Sequence, residues 1–158
     1  MLAENQVSII GFVWRPEEII PPVIKMALRT GSRAIFDFSM MGAEGLGSSL
    51  RKADPDGHVR DIKISAPALI DPSVELLLKE KGIQNIWVDC HPQFFRGDPS
   101  TFLQRLRELS ENHCCFPIVG DLDLLAVILK DSSGIGRIVL KGCEASGFVS
   151  GETTLALY

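Results

Sequence analysis

The hydrophobic and polar positions of this chain follow two alternating patterns. Short apolar runs rich in Val and Ile are separated by longer runs in which apolar residues recur every three or four positions. The first pattern is typical of buried β-strands and the second of amphipathic α-helices. Six runs are predicted as strands: 6–13, 33–39, 59–65, 85–90, 115–120 and 136–142. The sequence therefore predicts strands and helices that alternate along the chain.

Aspartate residues mark the starts of several predicted helices. Asp71 and Asp98 are each followed by proline, so each offers a capping side chain and a residue suited to the first helical position. The Leu-rich run after Asp71 ends at Gly82, a residue that often terminates helices. Asp121 or Asp123 can cap the helix that follows the fifth strand.

Two segments give weaker helix signals. Pro21 and Pro22 are predicted to lie in the first turn of a helix that closes at Gly31. Residues 42–57 are predicted as either a short helix or a loop, because glycines interrupt the pattern.

A strand followed by a helix, repeated six times, is typical of βα units in a largely parallel sheet. We therefore expect an α/β protein with one domain over residues 1–158. Two architectures remain open. The length favours a flavodoxin-like doubly wound sheet, since a (β/α)₈ TIM barrel would be incomplete, with about six of its eight units. The loops that follow the strands favour the incomplete barrel.

Polar residues gather where the predicted strands end. In either architecture the carboxyl ends of parallel strands form the rim that binds ligands. Each residue also has a structural explanation: Asp121 as a helix cap, and Lys63 with Asp89 as a buried ion pair. The residues at these strand ends are Asp37, Ser39, Lys63, Ser65, Asp89, Cys90, His91, Asp121, Lys141 and Glu144.

Composition and charge narrow the possible functions. The net charge of −4 and the lack of a Lys/Arg cluster give no reason to expect a nucleic-acid partner. No apolar run approaches the roughly 20 residues that span a membrane, so we expect no membrane partner. The N-terminus does not resemble a secretory signal, and we therefore expect a cytoplasmic protein with reduced thiols.

The four cysteines carry little sign of chemistry. None is spaced as a CxxC pair. Cys90 and His91 are sequence neighbours whose side chains point apart on a strand, which disfavours thiol catalysis. His113 with Cys114 lacks the usual spacing of zinc ligands, and no metal site is predicted.

The segment after the sixth predicted strand resembles a known family. The run "IVLKGCEASGFVSGETT", residues 138–154, is similar to the "KGxEAGGxxGxE" segment of the nitronate monooxygenase (2-nitropropane dioxygenase) family. The similarity is greatest to the divergent barrels embedded in polyketide-synthase-like multidomain proteins. Residues 11–39 are similar to the opening strand, helix and second strand of the same family.

This resemblance implies an FMN-binding TIM barrel in which the loop after the sixth strand lies against the flavin. Glycines would let the backbone approach a flat ring closely. Lys63 falls where the family often places Asn or Lys near the flavin. The residues that the resemblance implies for FMN binding are Lys63, Lys141, Gly142, Glu144, Ala145, Ser146 and Gly147.

Three departures from the family pattern limit what the resemblance implies. Phe148 stands where the family's enzymes commonly carry a histidine, and phenylalanine cannot transfer a proton. Ser146 replaces the first glycine of a pair. The phosphate-binding loops after strands seven and eight have no counterpart, so we expect weak FMN binding by the isolated chain. The chain would then be the N-terminal three-quarters of a barrel, whose open edges a homodimer or the remainder of a larger polypeptide would cover.

Two functions follow as hypotheses. The first is a fragment of an FMN-dependent oxidoreductase related to nitronate monooxygenases and polyketide-pathway enoyl reductases, acting on a small molecule or an acyl thioester. The missing histidine disfavours nitronate chemistry, and no catalytic residue is assigned. The alternative is a degenerate, non-catalytic barrel that serves as a scaffold or docking module in a multidomain synthase.

Overall fold

A computed structural model describes residues 8–12, 16–31, 33–91, 98–130, 135 and 137–140. Strands and helices alternate in this part of the chain, as the sequence pattern predicts. The strands are β1 (Ser8–Phe12), β2 (Arg33–Asp37), β3 (Asp61–Ser65), β4 (Asn85–Asp89), β5 (Cys114–Val119) and β6 (Val139–Leu140). The helices are α1 (Pro16–Thr30), α2 (Ala43–Ala53), α3 (Ala66–Ile70), α4 (Pro72–Glu80), α5 (Pro99–Ser110) and α6 (Leu122–Lys130).

The strands form one parallel sheet in which their order follows the sequence, β1-β2-β3-β4-β5-β6. A flavodoxin-like sheet reverses its strand order at a switch point, as in 2-1-3-4-5, so this alternative is wrong. Sequential parallel strands joined by helices are the arrangement of a (β/α)₈ barrel. The prediction of an incomplete barrel with about six of the eight units is confirmed.

One face of the sheet and the helices share a single hydrophobic core. Ile62 and Ile64 of β3 and Ile86 and Val88 of β4 are fully buried, and they pack with helix residues such as Leu50. These strand positions alternate, so their side chains all point to the same face of the sheet. Burying one such side chain contributes roughly 1.5–3 kcal/mol. We call this the outer face, and the opposite face the inner face.

The aspartates predicted as helix caps perform that role. The Asp71 side chain accepts a hydrogen bond of 2.9 Å from the Ser73 N–H at the start of α4. Asp98 accepts one of 3.1 Å from the Ser100 N–H. At α6 the cap is Asp121, whose carboxylate accepts from the Leu124 N–H at 2.8 Å.

Some helix predictions need correction. Helix α1 begins at Pro16, so Pro21 and Pro22 lie inside it rather than in its first turn. Neither proline has an N–H to donate to the preceding turn of the helix. The residues that would accept these two hydrogen bonds, Glu17 and Glu18, are exposed to solvent. For residues 42–57, where a short helix or a loop was left open, the helix is confirmed: α2 lies there and buries Leu46, Leu50 and neighbouring small residues.

Helix α3, which directly follows β3, was not predicted. The Ser65 hydroxyl caps it by accepting a hydrogen bond of 3.4 Å from the Ala68 N–H. The helix is only five residues long, too short to show a helical period in the sequence.

Candidate functional site

Three charged side chains meet on the inner face of the sheet. Lys63 of β3 places its Nζ 2.9 Å from Oδ2 of Asp37 and 2.8 Å from Oδ2 of Asp89. Asp37 and Asp89 are the last residues of β2 and β4, the two neighbours of β3. We call Asp37, Lys63 and Asp89 the inner cluster. Their exposed side-chain fractions are 5%, 13% and 1%, so the cluster is almost completely removed from water.

The period of the strands explains why these residues share one face. In β3 Lys63 lies between Ile62 and Ile64, which face the helices, so it must face the other way. Asp37 likewise lies between Phe36 and Phe38, both members of the core. The structural interpretation of Lys63 and Asp89 as a buried ion pair is therefore confirmed, and Asp37 joins them on the inner face.

Backbone groups just beyond the strands fix the two carboxylates. Oδ1 of Asp37 accepts hydrogen bonds from the Ser39 N–H at 2.9 Å and the Ser39 hydroxyl at 2.6 Å. Oδ1 of Asp89 accepts from the His91 N–H at 3.2 Å. Each carboxylate thus gives one oxygen to the loop after its strand and the other to Lys63. The cluster is held rigidly because both ends of each carboxylate are engaged.

The electrostatics of the cluster determine what Lys63 can do. Burial by itself lowers the pKa of Lys63, but hydrogen bonding and charge interactions with Asp89 and Asp37 outweigh burial and leave that pKa raised. Lys63 is therefore an ammonium ion at neutral pH and cannot serve as a general base. In the described part of the chain its ammonium group donates a hydrogen bond to Asp37 and forms an ion pair with Asp89, and it keeps an N–H for a ligand.

Two aromatic side chains lie beside the cluster on the same face. Trp87 of β4 is the register partner of Lys63, and Phe116 of β5 is the register partner of Trp87. The two rings stack with their centroids 4.7 Å apart and their planes 20° from parallel. Four neighbouring strand positions therefore form a row across the inner face, in the order Asp37, Lys63, Trp87, Phe116. Sequence analysis missed the aromatic pair, although Trp87 lies two residues before Asp89 and must share its face.

Thiol chemistry and zinc binding find no support in the described part of the chain. Cys90 is fully buried, burial raises the pKa of its thiol, and the nearby Asp89 charge raises it further. Burial likewise raises the pKa of Cys115 to about 11. His113 has its Nδ1 2.8 Å from the Ile83 carbonyl oxygen rather than near a metal ligand set. Among the described residues, no group of His, Cys, Asp and Glu could hold a metal ion.

The remaining predicted rim residues divide into three groups. Ser39 supports Asp37. Ser65 and Asp121 act as helix caps, which is the structural role expected for Asp121. The predicted flavin loop, with Lys141, Gly142, Glu144, Ala145, Ser146, Gly147 and the departure at Phe148, lies outside the described residues.

A cavity of about 520 Å³ lies at the other end of the strands, away from the inner cluster. It is lined by residues of α1, such as Leu28, and by residues at the amino ends of the strands, such as Asp61 and Asn85. Ligand sites of parallel α/β proteins lie at the carboxyl ends instead. We therefore take the inner cluster, not this cavity, as the candidate site. No helix in the described ranges is long and apolar enough to cross a bilayer.

Comparison with known proteins supports the fold. No family model and no curated protein matches this chain. A solved structure of a FabK mutant from Thermotoga maritima is similar, with a TM-score of 0.58 and 14% sequence identity. The similarity covers 97% of this chain and 48% of that chain, so this chain spans about half the length of the FabK structure. At this level of identity the likeness shows the barrel-type α/β fold.

Proposed function

We propose that this chain forms part of an FMN-binding barrel of an oxidoreductase. The observation that carries the proposal is the inner cluster, a buried and rigidly held ammonium ion at the carboxyl ends of sequential parallel strands. The solved FabK structure, which has a similar fold, is compatible with this proposal. The chain would supply the N-terminal part of the barrel.

The described residues fit the polar edge of a flavin ring. Lys63 keeps an N–H donor for a ligand, and the indole N–H of Trp87, its register partner on the neighbouring strand, is buried without a partner among the described residues. Both match ligand atoms that accept hydrogen bonds. FMN, when bound, supplies hydride and electron transfer, while the protein positions it and sets its electrostatic surroundings. The resemblance adds the loop Lys141–Gly147 as a second part of the site.

The proposed substrate class depends on Phe148, which stands where the resembled family commonly carries a proton-transferring histidine. Phe148 cannot abstract a proton, so we propose reduction of an acyl thioester or another small molecule rather than oxidation of a nitronate. A multidomain polyketide pathway and a cytoplasmic location belong to the same proposal.

A non-catalytic scaffold is the second candidate. The two carboxylates already neutralise Lys63, and Cys90 is buried as a thiol. Such a cluster can also serve stability alone, by fixing three neighbouring strands. This candidate predicts that the chain binds no flavin in any form.

The test is FMN binding measured by visible absorption and ultrafiltration. We expect the wild-type chain to bind FMN weakly but measurably, because the phosphate-binding loops have no counterpart, and the Lys63→Met variant to bind at least tenfold more weakly still. Lys79→Met is the matched control, because Lys79 is an exposed lysine that forms an ion pair with Glu75. A triple variant with Asp37→Asn, Lys63→Met and Asp89→Asn removes every charge of the cluster and guards against misfolding of the single variant. A wild-type chain that retains no FMN would refute the proposal and favour the scaffold.

We also propose that another polypeptide segment covers apolar side chains at the two ends of the helix layer. Leu122, Val127 and Leu129 of α6 are exposed by 42%, 37% and 58%, and Leu28 of α1 is exposed by 69%. The remainder of a larger polypeptide is the favoured cover, and a second copy of the chain is the alternative. Light scattering over a concentration series distinguishes the two, since only the second copy gives a dimer.

A further inference from the structure

The inner face next to Lys63 carries a polar donor that nothing in the described part of the chain satisfies. The Trp87 Nε1 atom is buried and has no hydrogen-bond partner there. Leaving such a buried donor unpaired is unfavourable, because it has lost its hydrogen bond to water. Trp87 and Lys63 are register partners on adjacent strands, whose spacing is about 4.8 Å. The two side chains therefore project from neighbouring positions on the inner face.

The position of the indole ring is fixed by its neighbour. Phe116 stacks on one face of Trp87 in the offset, nearly parallel arrangement that aromatic pairs prefer. The stack restricts rotation of the indole and therefore the direction of its N–H. Trp87, Phe116 and Lys63 are each partly exposed, whereas Ile86 and Val88 on the other face of β4 are fully buried. The row therefore keeps some accessible side-chain surface on the inner face.

We propose that Trp87 selects the ligand of this site by donating its indole N–H to an acceptor atom on the edge of a planar heteroaromatic ring. Lys63 supplies a second donor to the same edge, and Phe116 acts as a positioning residue that orients the indole. The inference rests on the proposed function, in which that ring is the flavin. The inner cluster carries a net charge of −1, so the site favours a neutral ring with carbonyl acceptors over an anionic one.

The experiment uses riboflavin, which has the ring of FMN but no phosphate, together with FMN itself. The chain has two tryptophans, so a Trp14→Phe background leaves Trp87 with the only indole N–H signal in a ¹H–¹⁵N spectrum. We expect riboflavin to move this signal to lower field and to slow the exchange of the indole proton with water. The riboflavin concentration at half of the shift should equal the concentration at half-saturation measured by ultrafiltration. We expect Trp87→Phe, which keeps an aromatic ring but loses the donor, to weaken riboflavin binding about tenfold.

Ile86→Val is the matched control, because it alters the neighbouring residue of β4 on the outer face. It should leave riboflavin affinity unchanged. Riboflavin binding with an unmoved indole signal, or with equal affinity in Trp87→Phe, would overturn the role of Trp87 and leave the proposed function standing. Binding of FMN but not riboflavin would do the same. Binding of neither flavin would overturn both proposals.

Discussion

Replacing Lys63 by methionine tests whether the inner cluster holds the sheet together. The substitution keeps the length of the side chain but removes the cation that Asp37 and Asp89 share. At contacts of 2.8 and 2.9 Å, each ion pair is worth on the order of 6 kcal/mol of attraction at an effective dielectric constant of about 20, before the cost of desolvation.

The net loss of stability is smaller than the sum of these attractions, because the cost of removing the charges from water cancels most of the attraction. Removing one partner of a buried ion pair typically costs about 3–5 kcal/mol, since the remaining charge is left uncompensated. Here two carboxylates are left, exposed by only 5% and 1%. Natural domains are stable by about 5–15 kcal/mol, so the variant should be close to unfolding.

Urea denaturation followed by circular dichroism measures this loss. We expect Lys63→Met to unfold at a much lower urea concentration than the wild type, and adding Asp37→Asn and Asp89→Asn to recover most of the loss. Recovery is expected because the triple variant leaves no unpaired charge in the sheet. The exposed control Lys79→Met should behave as the wild type. A Lys63→Met variant within 1 kcal/mol of the wild type would refute the argument.

Three further outcomes are expected. The ion pairs hold the pKa of Lys63 above its ordinary value of 10.5, so their stabilisation is complete below pH 10.5 and is lost as the pH rises through the raised pKa. Urea denaturation at a series of alkaline pH values should show this loss in the wild type and not in the triple variant. Leu50→Ala should lower the free energy of unfolding by about 2–5 kcal/mol, measured by urea denaturation, because Leu50 is completely buried; a loss below 1 kcal/mol would contradict the described core. Peptide mapping after brief alkylation should show Cys114 modified well before Cys90 and Cys115, since burial raises the thiol pKa of the latter two and Cys114 is exposed; equal rates would contradict their burial.

The sequence was most informative where a local rule decides the structure. Asp71 and Asp98, each before a proline, predicted helix starts that the structure confirms, because capping depends on only a few neighbouring residues. Helix α3 was missed because five residues are too few to show a helical period. Helix α1 starts earlier than predicted because proline normally marks the first turn of a helix, whereas Pro21 and Pro22 lie in its interior.

The candidate site could be predicted only in part. Strand period places Lys63 and Asp89 on one face, and the pair was anticipated. Contact with Asp37 and stacking of Trp87 on Phe116 depend on which strands are neighbours and on their register. Neither can be read from one sequence, because doubly wound and sequential sheets share the same alternation of strands and helices.

The sequential strand order also has a consequence for how the chain assembles. Each strand pairs with the strand made just before it, so the partners are close along the chain: 24 residues separate Asp61 from Asn85, and 29 separate Asn85 from Cys114. Closing such short loops costs little entropy. During synthesis each new strand can therefore add to an edge that has already formed, without waiting for a distant segment to emerge from the ribosome. The inner cluster is complete once β4 has docked, and β2, β3 and β4 are then joined by charge as well as by backbone hydrogen bonds.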